Sequence, residues 1–228
     1  MTSVLLYNLY AKTNWKAVTT NLISNVPHDT VIIHVSLPWY ALPSKYSIQK
    51  FLCRFEKVSR IVFSINRKKR GETIGFKKFQ AMALQQYDIV TYIHSKGTSK
   101  KSKHNKAIQD WTALMHYFVV ERLDLCKAAF EKGHLLYGVN LSTHIAAGVK
   151  EQIPLAHFHY SGNFVSFNNK ILGEKFATTP CGNSYYGVEF FWGQLCPIHL
   201  AYNAHTSNVN HYNETYPPEK YREQGHIA

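Results

Sequence analysis

Four strand-length apolar runs recur between stretches of helical periodicity: SVLLYNLY at residues 3–10, TVIIHVSL at 30–37, RIVFSI at 60–65 and IVTYIH at 89–94. They lack the strict polar alternation of a sheet with one wet face. Runs of this kind belong to strands covered on both faces, as in parallel sheets flanked by helices. The stretches 15–26, 44–55 and 73–84 between them read as helices, and Pro38 closes the second run. A strand–helix rhythm of this sort predicts an α/β fold with a mainly parallel sheet. A longer helix is expected over 105–132, where Trp111, Leu114, Met115, Phe118, Arg122, Leu125, Cys126 and Ala129 recur three and four apart before Gly133. That stripe reads as core, and a strand at 135–140 follows it.

The fourth run ends abruptly in His94, Ser95, Lys96 and Gly97. In open α/β sheets ligands bind at the carboxyl edge, which is where such a strand delivers its polar groups. A second cationic loop, NRKKRGE from Asn66 to Glu72, follows the third run. If the two strands are neighbours, both loops open on one crevice. Lys96 and Arg70 then supply charge for a phosphorylated ligand, and Gly97 lets it approach the backbone.

The charge balance agrees with an anionic partner. There are 26 Lys and Arg against 14 Asp and Glu, a formal net charge of +12. Such a field attracts nucleic acid, nucleotide diphosphates, acidic polysaccharide or an anionic membrane. The cations cluster in strand-end loops rather than along one helix, which disfavours a nucleic-acid-binding protein. The four cysteines show no Cys-x-x-Cys pair, and no His-Glu-x-x-His occurs. Cys53 and Cys126 are expected as buried thiols. With no secretory pattern and no apolar run near membrane-spanning length, the expected compartment is the cytoplasm.

Beyond Pro154 the chain becomes dense in His, Tyr, Asn and Gly, a composition suited to sugar recognition and equally to an irregular α+β cap. One domain over 1–228 is expected, with 1–140 as its nucleotide-binding part and 141–228 as an acceptor-side elaboration. Asp110 and Trp111 open the long helix, where the carboxylate could orient Lys96 or a substrate hydroxyl, or simply sit well near a helix N-terminus. Asn140 closes a strand at the same edge. Tyr160, Ser161, Gly162 and Asn163 form a polar cluster on a further strand, and Glu189 lies among Val188, Phe190, Phe191 and Trp192. A carboxylate among aromatic rings has its charged form disfavoured and suits a general base, whereas on an amphipathic helix it would be a surface residue.

Taken in order, these segments resemble a family. The loop from Asn66 to Glu72, His94-Ser95-Lys96-Gly97, Asp110-Trp111 with Met115-His116-Tyr117-Phe118, Gly138-Val139-Asn140, Tyr160-Ser161-Gly162-Asn163-Phe164 and Glu189-Phe190-Phe191-Trp192-Gly193 together look like bacterial glycosyltransferases of cell-surface polysaccharide loci. Those are distantly similar to rhamnan-synthesis F-type proteins. The resemblance spans roughly residues 66–221 and implies a GT-A-like transferase moving a sugar from a nucleotide-sugar donor to a glycan or lipid-linked acceptor.

On that resemblance Asn66, Arg70, Glu72, His94, Lys96, Gly97 and Asp110 would face the donor diphosphate. Trp111, Asn140, Tyr160, Ser161, Gly162 and Asn163 would face the sugar or acceptor, with Glu189 as the catalytic base. The chain departs from the pattern in three places. Its first loop carries extra basic residues, Val165-Ser166 stand where tandem tryptophans are common, and no Asp-x-Asp motif closes a strand. GT-A enzymes commonly hold Mn²⁺ or Mg²⁺ with that motif. No metal ligand is therefore assigned, and Lys96 and Arg70 are expected to supply part of the neutralisation. Contact with the inner face of an anionic membrane is a further expectation. The alternative is a transferase-like subunit that binds glycan without catalysis.

Overall fold

The apolar runs pair side by side. The computed structural model describes residues 1–66, 72–96, 105–145, 156–183 and 186–222. Strands β1 (Ser3–Tyr10), β2 (Thr30–Leu37), β3 (Val58–Ile65) and β4 (Ile89–His94) lie parallel, with Asn8 opposite both His34 and His94. Together with β5 (Leu136–Gly138), β8 (Val165–Asn168) and β9 (Ala201–Asn203) they make a seven-stranded sheet ordered β3-β2-β1-β4-β8-β5-β9. Only β8 is antiparallel to its neighbours. The short strands β6 (Leu141–Ser142) and β7 (His159–Tyr160) form a separate antiparallel pair. The α/β architecture with a mainly parallel sheet is thus the one the apolar runs require. Strands β8 and β9 of the central sheet come from the chain beyond residue 140.

Alternating side chains divide the core. Leu5, Tyr7, Leu9, Val31, Ile33 and Val35 point to one face, under α1 (Trp15–Ile23), α2 (Lys45–Leu52) and α4 (Asn105–His116). Val4, Leu6, Ile32, Val90 and Tyr92 point to the other, under α3 (Thr73–Gln80) and α6 (Asn169–Thr178). On that second face Phe76, Phe167, Phe176, Phe191 and Trp192 pack ring against ring, with Phe76 and Phe191 centroids 4.8 Å apart. Edge-to-face contacts at such distances add to the burial itself.

Several expectations are corrected. The third and fourth strands are not neighbours, since β2 and β1 lie between them. The long helix over 105–132 is broken. After α4 the chain makes a π turn over Tyr117–Glu121, leaves helical geometry at Arg122 (φ −93°, ψ 52°), and resumes as α5 (Leu123–Glu131). Tyr117, Phe118, Val119 and Val120 are all buried, and four consecutive residues cannot share one face of a straight α-helix. The helix expected over 44–55 begins as a 3₁₀ turn, Trp39–Ser44, with α2 following it, and α3 stops at Gln80 rather than residue 84. Cys53 is exposed because it caps the end of α2, whereas Cys126 is buried as expected. Glu189 sits in a turn that leads into a 3₁₀ segment at Trp192–Gln194, not on a helix. No helix among the described residues is long and apolar enough to cross a membrane.

Candidate functional site

The chain leaves β1 toward β2 on one side, while β4 lies on the other. The crevice outside the carboxyl ends of β1 and β4 is therefore a topological switch point, the usual ligand position in an open α/β sheet. Ser95 ties the two strand ends together: its Oγ accepts from Tyr10 N at 2.8 Å, and its own N–H donates to Asn8 O at 3.0 Å. Helices α1 and α4 follow these ends on the same face of the sheet. Between them opens a cleft of about 530 Å³, lined by Asn14, Ala17 and Val18 from α1 and the turn before it, by Gln109, Asp110 and Ala113 from α4, and by Lys96.

On the opposite face of the same strands lies a buried hydrogen-bond relay. Asn8, His34 and Tyr92 are polar side chains on strands that are otherwise apolar there, and all three are buried. Ser64 Oγ lies 2.8 Å from His34 Nε2, and His34 Nδ1 lies 2.9 Å from Asn8 Oδ1. Asn8 Nδ2 donates to Tyr92 OH at 3.1 Å and to Glu72 O at 2.9 Å. Tyr92 OH then donates to Glu72 Oε2 at 2.6 Å. Every donor has an acceptor when His34 is neutral with its proton on Nδ1, which agrees with burial pushing that histidine down to about 4. Gly75 of α3 sits directly over this relay, where a β-carbon would strike His34 and Asn8.

Glu72 is the terminus of the relay, and two further groups, Asn163 and His94, converge on it. Asn163 Nδ2 donates to Glu72 Oε1 at 2.8 Å, while Asn163 Oδ1 accepts from Trp192 Nε1 at 2.6 Å. His94 Nδ1 lies 3.5 Å from Glu72 Oε2, and His94 Nε2 lies 3.0 Å from Gly162 O. Since Gly162 O can only accept, Nε2 carries a proton, and a second proton on Nδ1 would face the Glu72 carboxylate. Burial lowers the His94 pKa, Glu72 opposes that, and Lys96 reinforces it. Tyr92 is held protonated by burial and by the Glu72 charge, so its hydroxyl stays a donor.

Glu189 reaches the same place from the other side. Gly162 N–H donates to its Oε1 at 3.5 Å. Burial raises the Glu189 carboxyl pKa, and Glu72 raises it further, whereas Lys96 and the Gly162 N–H lower it. A carboxyl raised in this way holds a proton more readily than a surface one. Gly162 has a φ of +94°, and a β-carbon there would strike Met115 and come within 3.0 Å of the Trp111 ring. The close approach of this turn to α4 therefore demands glycine.

Lys96 Nζ lies 3.7 Å from the centroid of the buried Trp111 ring, a cation–π contact. Trp111 in turn stacks on His211 at 5.0 Å and 8°. Asp110 is buried and paired with Lys106 at 2.7 Å.

The structure thus gathers Glu72, His94, Lys96, Gly162, Asn163 and Glu189 at one place, with Trp111 and Asp110 beside Lys96. It does not bring Tyr160 there: that ring is buried in the core and its hydroxyl donates to Tyr202 O at 2.9 Å. Ser161 is tied by its N–H to Asn140 O at 3.1 Å. Asn140 adopts a φ of +52° and its Oδ1 accepts from Ser207 N at 2.8 Å and Ser207 Oγ at 3.0 Å. Its side chain secures the chain near residue 207. Asn66 closes β3 with its N–H on Leu37 O. Arg70 and Gly97 lie outside the described residues.

Asn8, His34 and Tyr92 were not singled out as site residues by the sequence. The available signal was a polar residue inside an apolar parallel strand, which must find a buried partner. Among the described residues no three His, Cys, Asp or Glu side chains could together hold a metal ion.

No protein-family model matches the chain, and no curated protein matches it. Among solved structures, it is similar to the 4-diphosphocytidyl-2C-methyl-D-erythritol synthase of Anaerococcus prevotii DSM 20548, at 11% identity, over 97% of this chain and 92% of that one, with a TM-score of 0.43. A likeness at that level leaves the activity to be argued from the chain's own residues.

Proposed function

We propose that this protein is a GT-A-like glycosyltransferase that takes a sugar from a nucleotide-sugar donor and passes it to a cell-surface glycan or lipid-linked acceptor. The observation that carries the reading is the cleft at the β1/β4 switch point with Lys96 in its lining, and Glu189 near enough to that lysine for its charge to lower the carboxyl pKa. In this reading the nucleoside lies between α1 and α4, and Lys96 meets the diphosphate as it departs. Electrostatic stabilisation of that leaving group is the main catalytic demand. For an inverting reaction, Glu189 takes the proton of the acceptor hydroxyl as its oxygen bonds to the anomeric carbon and the bond to the diphosphate breaks. Glu72, held by Tyr92 and Asn163, positions His94 and the Gly162 turn on which Glu189 rests. Free cysteines agree with a reducing, cytoplasmic site of action.

The test is a thermal-shift screen against UDP, GDP, CDP and dTDP and their sugars, with and without Mn²⁺. A ligand at a hundredfold excess over its Kd stabilises by about 2.7 kcal/mol. One nucleotide should shift the wild type selectively. Glu189→Gln should keep that shift and lose turnover, and Lys96→Met should weaken the shift. Absence of a shift with every nucleotide would sink the reading in favour of a glycan-binding subunit or a nucleic-acid-binding protein.

A further inference from the structure

The turn that follows β2 leaves an unusual surface. Trp39 is 73% exposed, Tyr40 64%, Leu42 42% and Tyr46 77%, all within the 3₁₀ turn and the first turn of α2. Ile65, 47% exposed, adjoins them because it pairs with Leu37 at the end of β2. No other described segment displays large apolar side chains this densely, and contiguous exposed apolar surface marks an interaction site. Rings this exposed protrude from the fold.

The charge around the patch names the partner. Residues 1–66 contain two carboxylates, Asp29 and Glu56. Both sit just before the amino ends of β2 and β3, at the opposite edge of the sheet. The carboxyl edge of β1 and β2 instead carries Lys12, Lys16 and Lys45 with no acid among them. Protruding Trp and Tyr rings beside lysines match the interface of a bilayer, where amphipathic rings settle at headgroup level and ammonium groups meet lipid phosphates.

We propose that Trp39, Tyr40, Leu42, Tyr46 and Ile65, with Lys12 and Lys45, form a docking surface for an anionic lipid bilayer. The patch lies at the same edge of the sheet as the β1/β4 cleft, so docking would hold that edge toward the membrane. The inference stands apart from the transferase reading, because vesicle binding requires neither donor nor turnover.

The experiment is flotation of the purified protein with vesicles of equimolar phosphatidylglycerol and phosphatidylcholine, against vesicles of phosphatidylcholine alone. The protein should float with the anionic vesicles at low salt, much less with the neutral ones, and be released as salt is raised. Brominated lipid should quench part of its tryptophan emission. Trp39→Ala with Tyr46→Ala should lower partitioning roughly tenfold or more with an unchanged melting temperature, since both side chains are mostly exposed. Lys45→Glu should weaken only the anionic arm. No flotation at low salt, flotation that the double variant leaves intact, or a concentration-dependent dimer abolished by the double variant in place of vesicle binding would each overturn the proposal.

Discussion

Replacing Asn163 by alanine should be among the most damaging single changes at this site. Asn163 is buried and bridges two groups that have little alternative, Trp192 Nε1 at 2.6 Å and Glu72 Oε1 at 2.8 Å. Trp192 is fully buried, so its orphaned N–H would cost about 2 kcal/mol. The Glu72 carboxylate would lose one donor, but with its side chain 19% exposed water replaces part of it, leaving about 1.5 kcal/mol. Asn163 also has a φ of +62°, which asparagine tolerates and alanine resists by about 1 kcal/mol. Asn163→Ala should therefore lower the unfolding free energy by about 4–5 kcal/mol, and Asn163→Gly should recover about 1 kcal/mol of it. Asn163→Asp keeps the acceptor for Trp192 but sets a second carboxylate against Glu72. One of the two must then hold a proton in the folded state, with a pKa above its unfolded value. That variant should gain stability relative to wild type as pH falls. The assay is urea unfolding of the three variants, followed by far-ultraviolet circular dichroism at several pH values. A loss below about 1 kcal/mol for Asn163→Ala, or a glycine variant weaker than the alanine one, would refute this account of the bridge.

Acid should destabilise the fold early, because His28 and His34 are buried and their pKa values are pushed down to about 3 and about 4 from 6.5. The unfolded chain then binds protons that the folded one refuses, so this stability is complete above about pH 6.5 and declines as pH falls toward 4. The slope should approach about 2.7 kcal/mol per pH unit for the two together, and His34→Gln should flatten it in urea titrations between pH 7.5 and 4.5. A slope unchanged in the variant would contradict the buried neutral relay. Thiol titration offers a simpler check. Cys53 is exposed, while burial pushes Cys126 and Cys181 up to about 12 and Cys196 up to about 11. The native protein should show one fast thiol toward a disulfide reagent, lost in Cys53→Ser, and four after denaturation.

The parallel strands were legible because burial on both faces leaves its mark in every residue of a run. The placement of His94 and Lys96 at the carboxyl edge follows from that pattern, since a strand's direction and end are local properties. Glu189 was readable as a carboxylate in apolar surroundings from its immediate neighbours. Other features depended on contacts between distant segments. Strand β8, four residues long and reversed between β4 and β5, carries no sequence periodicity to announce it. Tyr160 reads like a site residue in sequence, yet β7 turns it into the core, and it is the adjoining Gly162 turn that meets Glu189. The separation of β3 from β4 by two strands was decided by crossover connections, which local chemistry does not specify. Glu72 nevertheless reaches Tyr92 of β4, because the chain after β3 passes over the sheet to begin α3. The sequence by itself determined which runs would form the buried parallel strands and at which edge His94 and Lys96 would emerge, for those follow from the side chains of each segment. Which carboxylate meets which amide, over as many as 91 residues of chain, was decided only when the sheet order brought Glu72 and Asn163 together.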